Sequence, residues 1–128
     1  MPNARFHISK AERNEEFYQS YKLDSSKFNE WAVVVLFYIS MHYVDAVLSQ
    51  DTTLSQELRD PENHFTRNRA ISQCPSLSPI ASMYLNLYQR SKDARYRIIH
   101  FSNGYLNRLK TISFKPVQTY LRKYLGLP

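Results

Sequence analysis

The sequence predicts an all-α fold, an up-and-down bundle of four to six helices around one long central helix. Three observations carry that expectation. Only 2 of 128 residues are glycine, whereas all-β folds and glycine-looped nucleotide folds need more residues able to turn the chain. No glycine or proline falls between Phe28 and Leu48. Tyrosine, phenylalanine and tryptophan together number eighteen (10, 7 and 1), many at helical spacing. With 43% apolar and 22% charged residues, the composition is globular, and the length suits a single domain over 1–128.

A first helix is predicted from Ser9, where Ser9, Lys10, Ala11 and Glu12 have capping-box spacing, to about Tyr21. Its apolar residues Phe17, Tyr18 and Tyr21 come late, so it should pack mainly by one end. Asp24, Ser25 and Ser26 supply the second start signal, opening a helix of about 24 residues and about 36 Å that runs through Leu48. Apolar residues occupy nearly every face of this helix around Val33 to Tyr38. Such a helix is covered on several sides by neighbours or by another subunit, and a homodimer formed through it is the expectation. Ser40, His42 and Asp45 interrupt the apolar run, which argues for a buried core helix and against a membrane span.

Asp60 and Pro61 form a cap and first-turn proline for a short helix over about 61–72. Ser78 and Pro79 repeat the device for a helix reaching about Arg97, striped by Ile80, Met83, Tyr84, Leu87 and Tyr88. Ser102 caps the last helix, in which Pro116 should produce a kink or a break. No internal repeat and no low-complexity linker is evident.

The net charge of +6 is unevenly distributed. Residues 1–89 hold eight Lys/Arg against ten Asp/Glu, while residues 90–128 hold nine against Asp93 alone. A segment of +8 points to a polyanion, because each neutralised phosphate releases condensed counterions; the same charge can also serve as a solvated basic face that keeps the chain soluble. The single cysteine, Cys74, cannot form an internal disulfide, and with no secretory h-region in the first thirty residues it points to a cytoplasmic, reducing compartment.

Familiar catalytic motifs are absent from the sequence: no Gly-rich phosphate loop, no zinc-binding Cys/His array, no His-Glu-x-x-His and no Gly-x-Ser-x-Gly. No metal site and no cofactor is therefore assigned. Three small groups remain. His42 and Asp45 lie three apart on the long helix, either as an acid–base pair or as a hydrogen-bonded pair that sets helix packing. His64 and Arg67, with Arg69 nearby, sit in the first turns of a helix, where they can hold a phosphate or simply decorate a capped end. Arg95, Arg97 and His100, with Arg108 further on, lie in the basic third. Arg95 and His100 are five apart and converge only if the helix ends between them or two subunits contribute. Arg97 and His100, three apart, would share a helical face more easily.

Three stretches carry a likeness to a known family: the aromatic-rich run Phe37 to Ala46, the segment Pro61 to Arg69 with the Pro-x-x-His-x-x-Arg spacing of Pro61, His64 and Arg67, and the segment Leu87 to Tyr96. Together they resemble the HEPN superfamily (higher eukaryotes and prokaryotes nucleotide-binding) over roughly residues 28 to 100. The resemblance implies a small helical bundle, commonly dimeric. Because many members use an Arg-x4-6-His motif, it also implies a metal-independent endoribonuclease. On that carry-over Arg95 would stabilise phosphate charge, while His100 would act on the ribose hydroxyl or leaving oxygen to leave a cyclic phosphate. This chain departs from the motif in having Tyr96 directly after the arginine, and Asp93 to Tyr96 also aligns with a non-catalytic ending.

Three functions are thus in play. The first is an RNA- or nucleotide-binding module using the basic third, Arg67 and Arg69. The second is a toxin-type endoribonuclease using Arg95 and His100. The third is a structural bundle whose tyrosines and basic face contact a protein partner.

Overall fold

The computed structural model describes residues 3–25 and 27–128. Among them every regular element is helical, and together they form a bundle around one long central helix. The helices are α1 (Ala4–Ser20), α2 (Asn29–Gln50), α3 (Gln56–Arg59), α4 (His64–Gln73), α5 (Ala81–Tyr96), α6 (Asn103–Leu109) and α7 (Lys115–Tyr124).

Helix α2 is the axis. Its 22 residues span about 33 Å, and sixteen of them are buried. Val33, Leu36, Phe37, Ile39, Tyr43, Val44 and Leu48 are almost wholly removed from solvent, each such aliphatic or aromatic side chain contributing about 1.5–3 kcal/mol by burial. Helix α1 packs along one side and α5 along another, and α3, α4, α6 and α7 also touch it. By length and composition α2 could cross a membrane, but the chain's own helices cover most of it. That coverage accounts for apolar residues on every face without calling on a second subunit.

Several boundaries differ from the sequence reading, and each difference has a local cause. Helix α1 begins at Ala4 instead of Ser9, because the Asn3 side chain accepts from the Phe6 N–H at 3.1 Å and caps it. The earlier start places His7 and Ala11 on the buried stripe with Tyr18. Asp24 and Ser25 do not cap α2; they belong to a 3-10 turn over Leu23–Ser25, and Ser26 lies outside the described residues. Asp24 instead accepts from Tyr18 Oη and from Lys110 Nζ. Helix α4 starts at His64, not Pro61, because Asn63 accepts from the Thr66 N–H at 2.8 Å. Ser78 and Pro79 fall inside a 3-10 segment, Pro75–Ile80, that leads into α5. Ser102 caps α6 as expected, accepting from the Tyr105 N–H at 3.0 Å.

Pro116 does disturb the last helix, in a specific way. Between α6 and α7 the segment Lys110–Phe114 widens to π-helical geometry. Proline has no N–H to give, and its ring would strike the carbonyl four residues earlier; one wider turn just before it relieves both conflicts. The chain then re-enters α7 with Val117 and Leu121 fully buried. Arg122 fastens this helix to the core, donating to Tyr43 Oη at 2.6 Å beside Glu12 and Glu15. At the other end of α2, the Asn29 side-chain amide donates to the Phe101 carbonyl at 2.7 Å and to Asn103 at 2.9 Å.

Candidate functional site

Four helices bring their polar side chains to one region, and each does so by helical spacing. Helix α2 supplies Tyr38, His42 and Asp45, at offsets of four and three residues. Helix α4 supplies His64 and Arg67 and α1 supplies His7. Helix α5 adds Tyr84, Tyr88, Lys92 and Arg95, successive occupants of one stripe. His64 and Arg67 therefore meet Asp45 and Arg95, which the sequence places in separate groups.

At the bottom of this region lies an ion pair. Arg67 Nε donates to Asp45 Oδ1 at 2.7 Å and Nη2 to Oδ2 at 3.1 Å, a two-pronged match with both side chains 8% exposed. Arg67 Nη2 also reaches the Pro61 carbonyl at 3.5 Å, and Nη1 lies 3.3 Å from His64 Nδ1. Burial pushes the Asp45 carboxyl upward against the downward pull of Arg67, and the guanidinium beside the carboxylate holds its proton more firmly than usual despite burial. The expected His42–Asp45 pair is thus displaced: Asp45 belongs to Arg67, and His42 Nδ1 is buried with no hydrogen-bond partner among the described residues. The expectation that His64 and Arg67 jointly hold a phosphate changes too, since Arg67 is 6% exposed and occupied by Asp45.

The histidines here are held neutral. Burial lowers His42 to about 4, with Lys10, His7 and Arg67 adding positive charge nearby. His7 is lowered by burial as well. Burial, then Arg67, Arg95 and Lys92, lower His64, and an arginine N–H aimed at its Nδ1 requires that nitrogen to be the unprotonated one.

Toward solvent the region becomes cationic and aromatic. His64 lies against Tyr88, ring centroids 5.2 Å apart, and Lys92 Nζ sits 5.4 Å from the centre of the Tyr88 ring. The Arg95 guanidinium lies between Tyr38 at 5.9 Å and Tyr96 at 5.0 Å. Its Nη1 donates to Tyr38 Oη and its Nε to the Ser91 carbonyl, both at 3.3 Å. Tyr96 is 75% exposed.

The rest of the basic third is dispersed. Helix α5 ends at Tyr96, and Arg97 is already extended, so Arg97 and His100 share no helical face. His100 lines a cleft of about 310 Å³ at the turn from α5 to α6, with Arg90, Asp93, Tyr105 and Arg108; Arg95 is not part of that lining. Arg90 and Arg97 both approach Asp93, at 3.2 and 3.7 Å. Lys110 is engaged by Asp24 at 2.6 Å and Arg122 by Glu12 and Glu15. Arg108 lies against Tyr105, and Arg69 is exposed on α4.

His7 is the member of this region that the sequence reading missed. The signal was present as the spacing His7, Ala11, Tyr18, hidden by placing the helix start two residues after the histidine. Comparison with protein-family models, with curated proteins and with solved structures returns no match for this chain.

Proposed function

We propose that this chain is a HEPN-like module that binds single-stranded RNA or a nucleotide on the cationic, tyrosine-rich surface built by His64, Lys92 and Arg95 with Tyr38, Tyr88 and Tyr96. The observation that carries the reading is the interleaving of cations with tyrosine rings: Lys92 on Tyr88, and Arg95 between Tyr38 and Tyr96. Surfaces that hold single strands combine backbone-neutralising cations with aromatic faces for bases, each stacked base contributing about 1–3 kcal/mol. Lys92 and Arg95 have no carboxylate within ion-pair distance among the described residues, so their charge is available to phosphate.

Binding is favoured over cleavage because His100 lines the cleft at the turn from α5 to α6, and Arg95 is not part of that lining. The test is fluorescence polarisation of labelled single-stranded RNA at several salt concentrations, with chelator present. Wild type should bind in a salt-sensitive manner and leave the RNA intact. Arg95→Ala should weaken binding and reduce the log–log salt slope by roughly 0.7 for each phosphate that is no longer neutralised, and Tyr96→Ala should weaken binding with little change in slope. A flat titration at low salt, or affinity unchanged in Arg95→Ala and Tyr96→Ala combined, removes the proposal. Cleavage abolished by His100→Ala would replace it with the nuclease.

A further inference from the structure

The RNA-binding surface makes no use of the histidines at the α1–α2 contact. One ligating atom from each of His7, His42 and Asp45 lies within 4.8 Å of the other two. His42 and Asp45 are three apart on α2, the offset at which one helix presents a histidine and a carboxylate to a metal in helical-bundle metalloproteins. His7 reaches across from the first turn of α1. It is 7% exposed, and its Nε2, like His42 Nδ1, is buried with no hydrogen-bond partner among the described residues. Native interiors rarely leave such nitrogens unused.

We propose that His7, His42 and Asp45 bind one divalent transition-metal ion, zinc foremost, with Arg67 orienting the Asp45 carboxylate from outside the coordination sphere. Two imidazoles and one carboxylate suit zinc and its neighbours, whereas magnesium and calcium prefer all-oxygen cages. The Asp45 oxygens each accept one Arg67 N–H, which leaves a lone pair on each. Hydrogen-bonded support of this kind is usual behind a metal-bound carboxylate. Burial keeps both imidazoles neutral, the form that ligates. A tetrahedral zinc with bonds of about 2.0–2.1 Å brings its ligands to about 3.4 Å from one another, so the ion draws the first turn of α1 toward α2. His7 also feels Asp60 and Lys10; with Asp45 and Arg67 the fixed charges balance, and affinity should fall short of that of thiolate sites.

The experiment titrates the metal-free full chain with cobalt(II), followed in the visible, and with zinc by calorimetry. Expected are one equivalent of cobalt with ligand-field bands, its displacement by zinc, a zinc-dependent rise in Tm, and no heat with magnesium. His7→Gln and His42→Gln should each weaken zinc binding by at least about tenfold. Should either variant fail to fold, the wild-type imidazole nitrogen-15 shifts report on the same question, with His7 and His42 moving and His100 unmoved. No stoichiometric uptake by wild type, zinc affinity unchanged in both folded variants, or His7 and His42 shifts unmoved by zinc, each overturns the site. All of these readouts are independent of RNA.

Discussion

Replacing Asp45 with asparagine should be among the more damaging single changes in this protein. The substitution preserves shape and removes the carboxylate that meets Arg67 at 2.7 and 3.1 Å. Arg67 is then left 6% exposed without a countercharge: the amide oxygen can still accept one N–H, but the second prong faces an NH2 group, and the other neighbours are the Pro61 carbonyl at 3.5 Å and His64 Nδ1 at 3.3 Å. Breaking a buried pair by deleting one partner costs about 3–5 kcal/mol. A chain of 128 residues has a total stability of roughly 6–19 kcal/mol at the usual 0.05–0.15 kcal/mol per residue, so a large share disappears. At about 3–5 °C per kcal/mol, Tm should fall by roughly 10–20 °C. The double variant Asp45→Leu/Arg67→Met removes both charges together and should recover to within about 1 kcal/mol of wild type, or exceed it, because a well-packed apolar pair escapes the desolvation cost. The assay is urea unfolding followed by far-ultraviolet circular dichroism in chelated buffer. Asp45→Asn within about 1 kcal/mol of wild type, or a double variant no better than the single one, would show that the pair does not hold Arg67 in place.

Two further outcomes follow from the same buried region. Because burial lowers His42 to about 4 from an unfolded value near 6.5, its contribution is fully present above pH 6.5 and is lost as pH falls toward 4. Stability should therefore drop by roughly 2–3 kcal/mol across that window, and the drop should shrink in His42→Gln; chemical unfolding at a series of pH values checks it, and an equal slope in both proteins counts against it. Tyr84 is fully buried with its hydroxyl unpartnered among the described residues, so Tyr84→Phe should be neutral or stabilising by up to about 1–2 kcal/mol. A loss above about 1 kcal/mol in thermal or urea melts would instead reveal a hydrogen bond at that oxygen.

The elements most legible in the sequence were those fixed by a long local pattern. The stretch from Phe28 to Leu48, uninterrupted by glycine or proline, reads as one long helix, and Ser102 and Pro116 mark the last helix by their own chemistry. Helix starts were harder to place, because the chain offers more capping residues than it uses. Ser9, Asp24 and Asp60 all have side chains suited to capping, yet Asn3 and Asn63 are the caps of α1 and α4, while Asp24 is taken by Tyr18 and Lys110. The polar region was legible only in pieces. Spacing along one helix pairs His42 with Asp45, but Asp45 finds Arg67 twenty-two residues away, a choice made by how α4 docks on α2. In the same way, the packing of α5 on α2 brings Tyr38 to Arg95, which no periodicity within either helix announces.

The wide turn at Lys110–Phe114 acts as a spacer whose size the rest of the chain depends on. Deleting one residue from it would leave ordinary α-helical winding with Val117, Leu121 and Arg122 on their present faces, because one residue is what a π turn adds to an α turn. Pro116 would then sit inside an unbroken helix with its ring against the carbonyl four residues earlier, at a cost of about 3 kcal/mol. Inserting one further residue there would instead turn everything downstream by about 100°, taking Val117 and Leu121 out of the interior and Arg122 away from Tyr43.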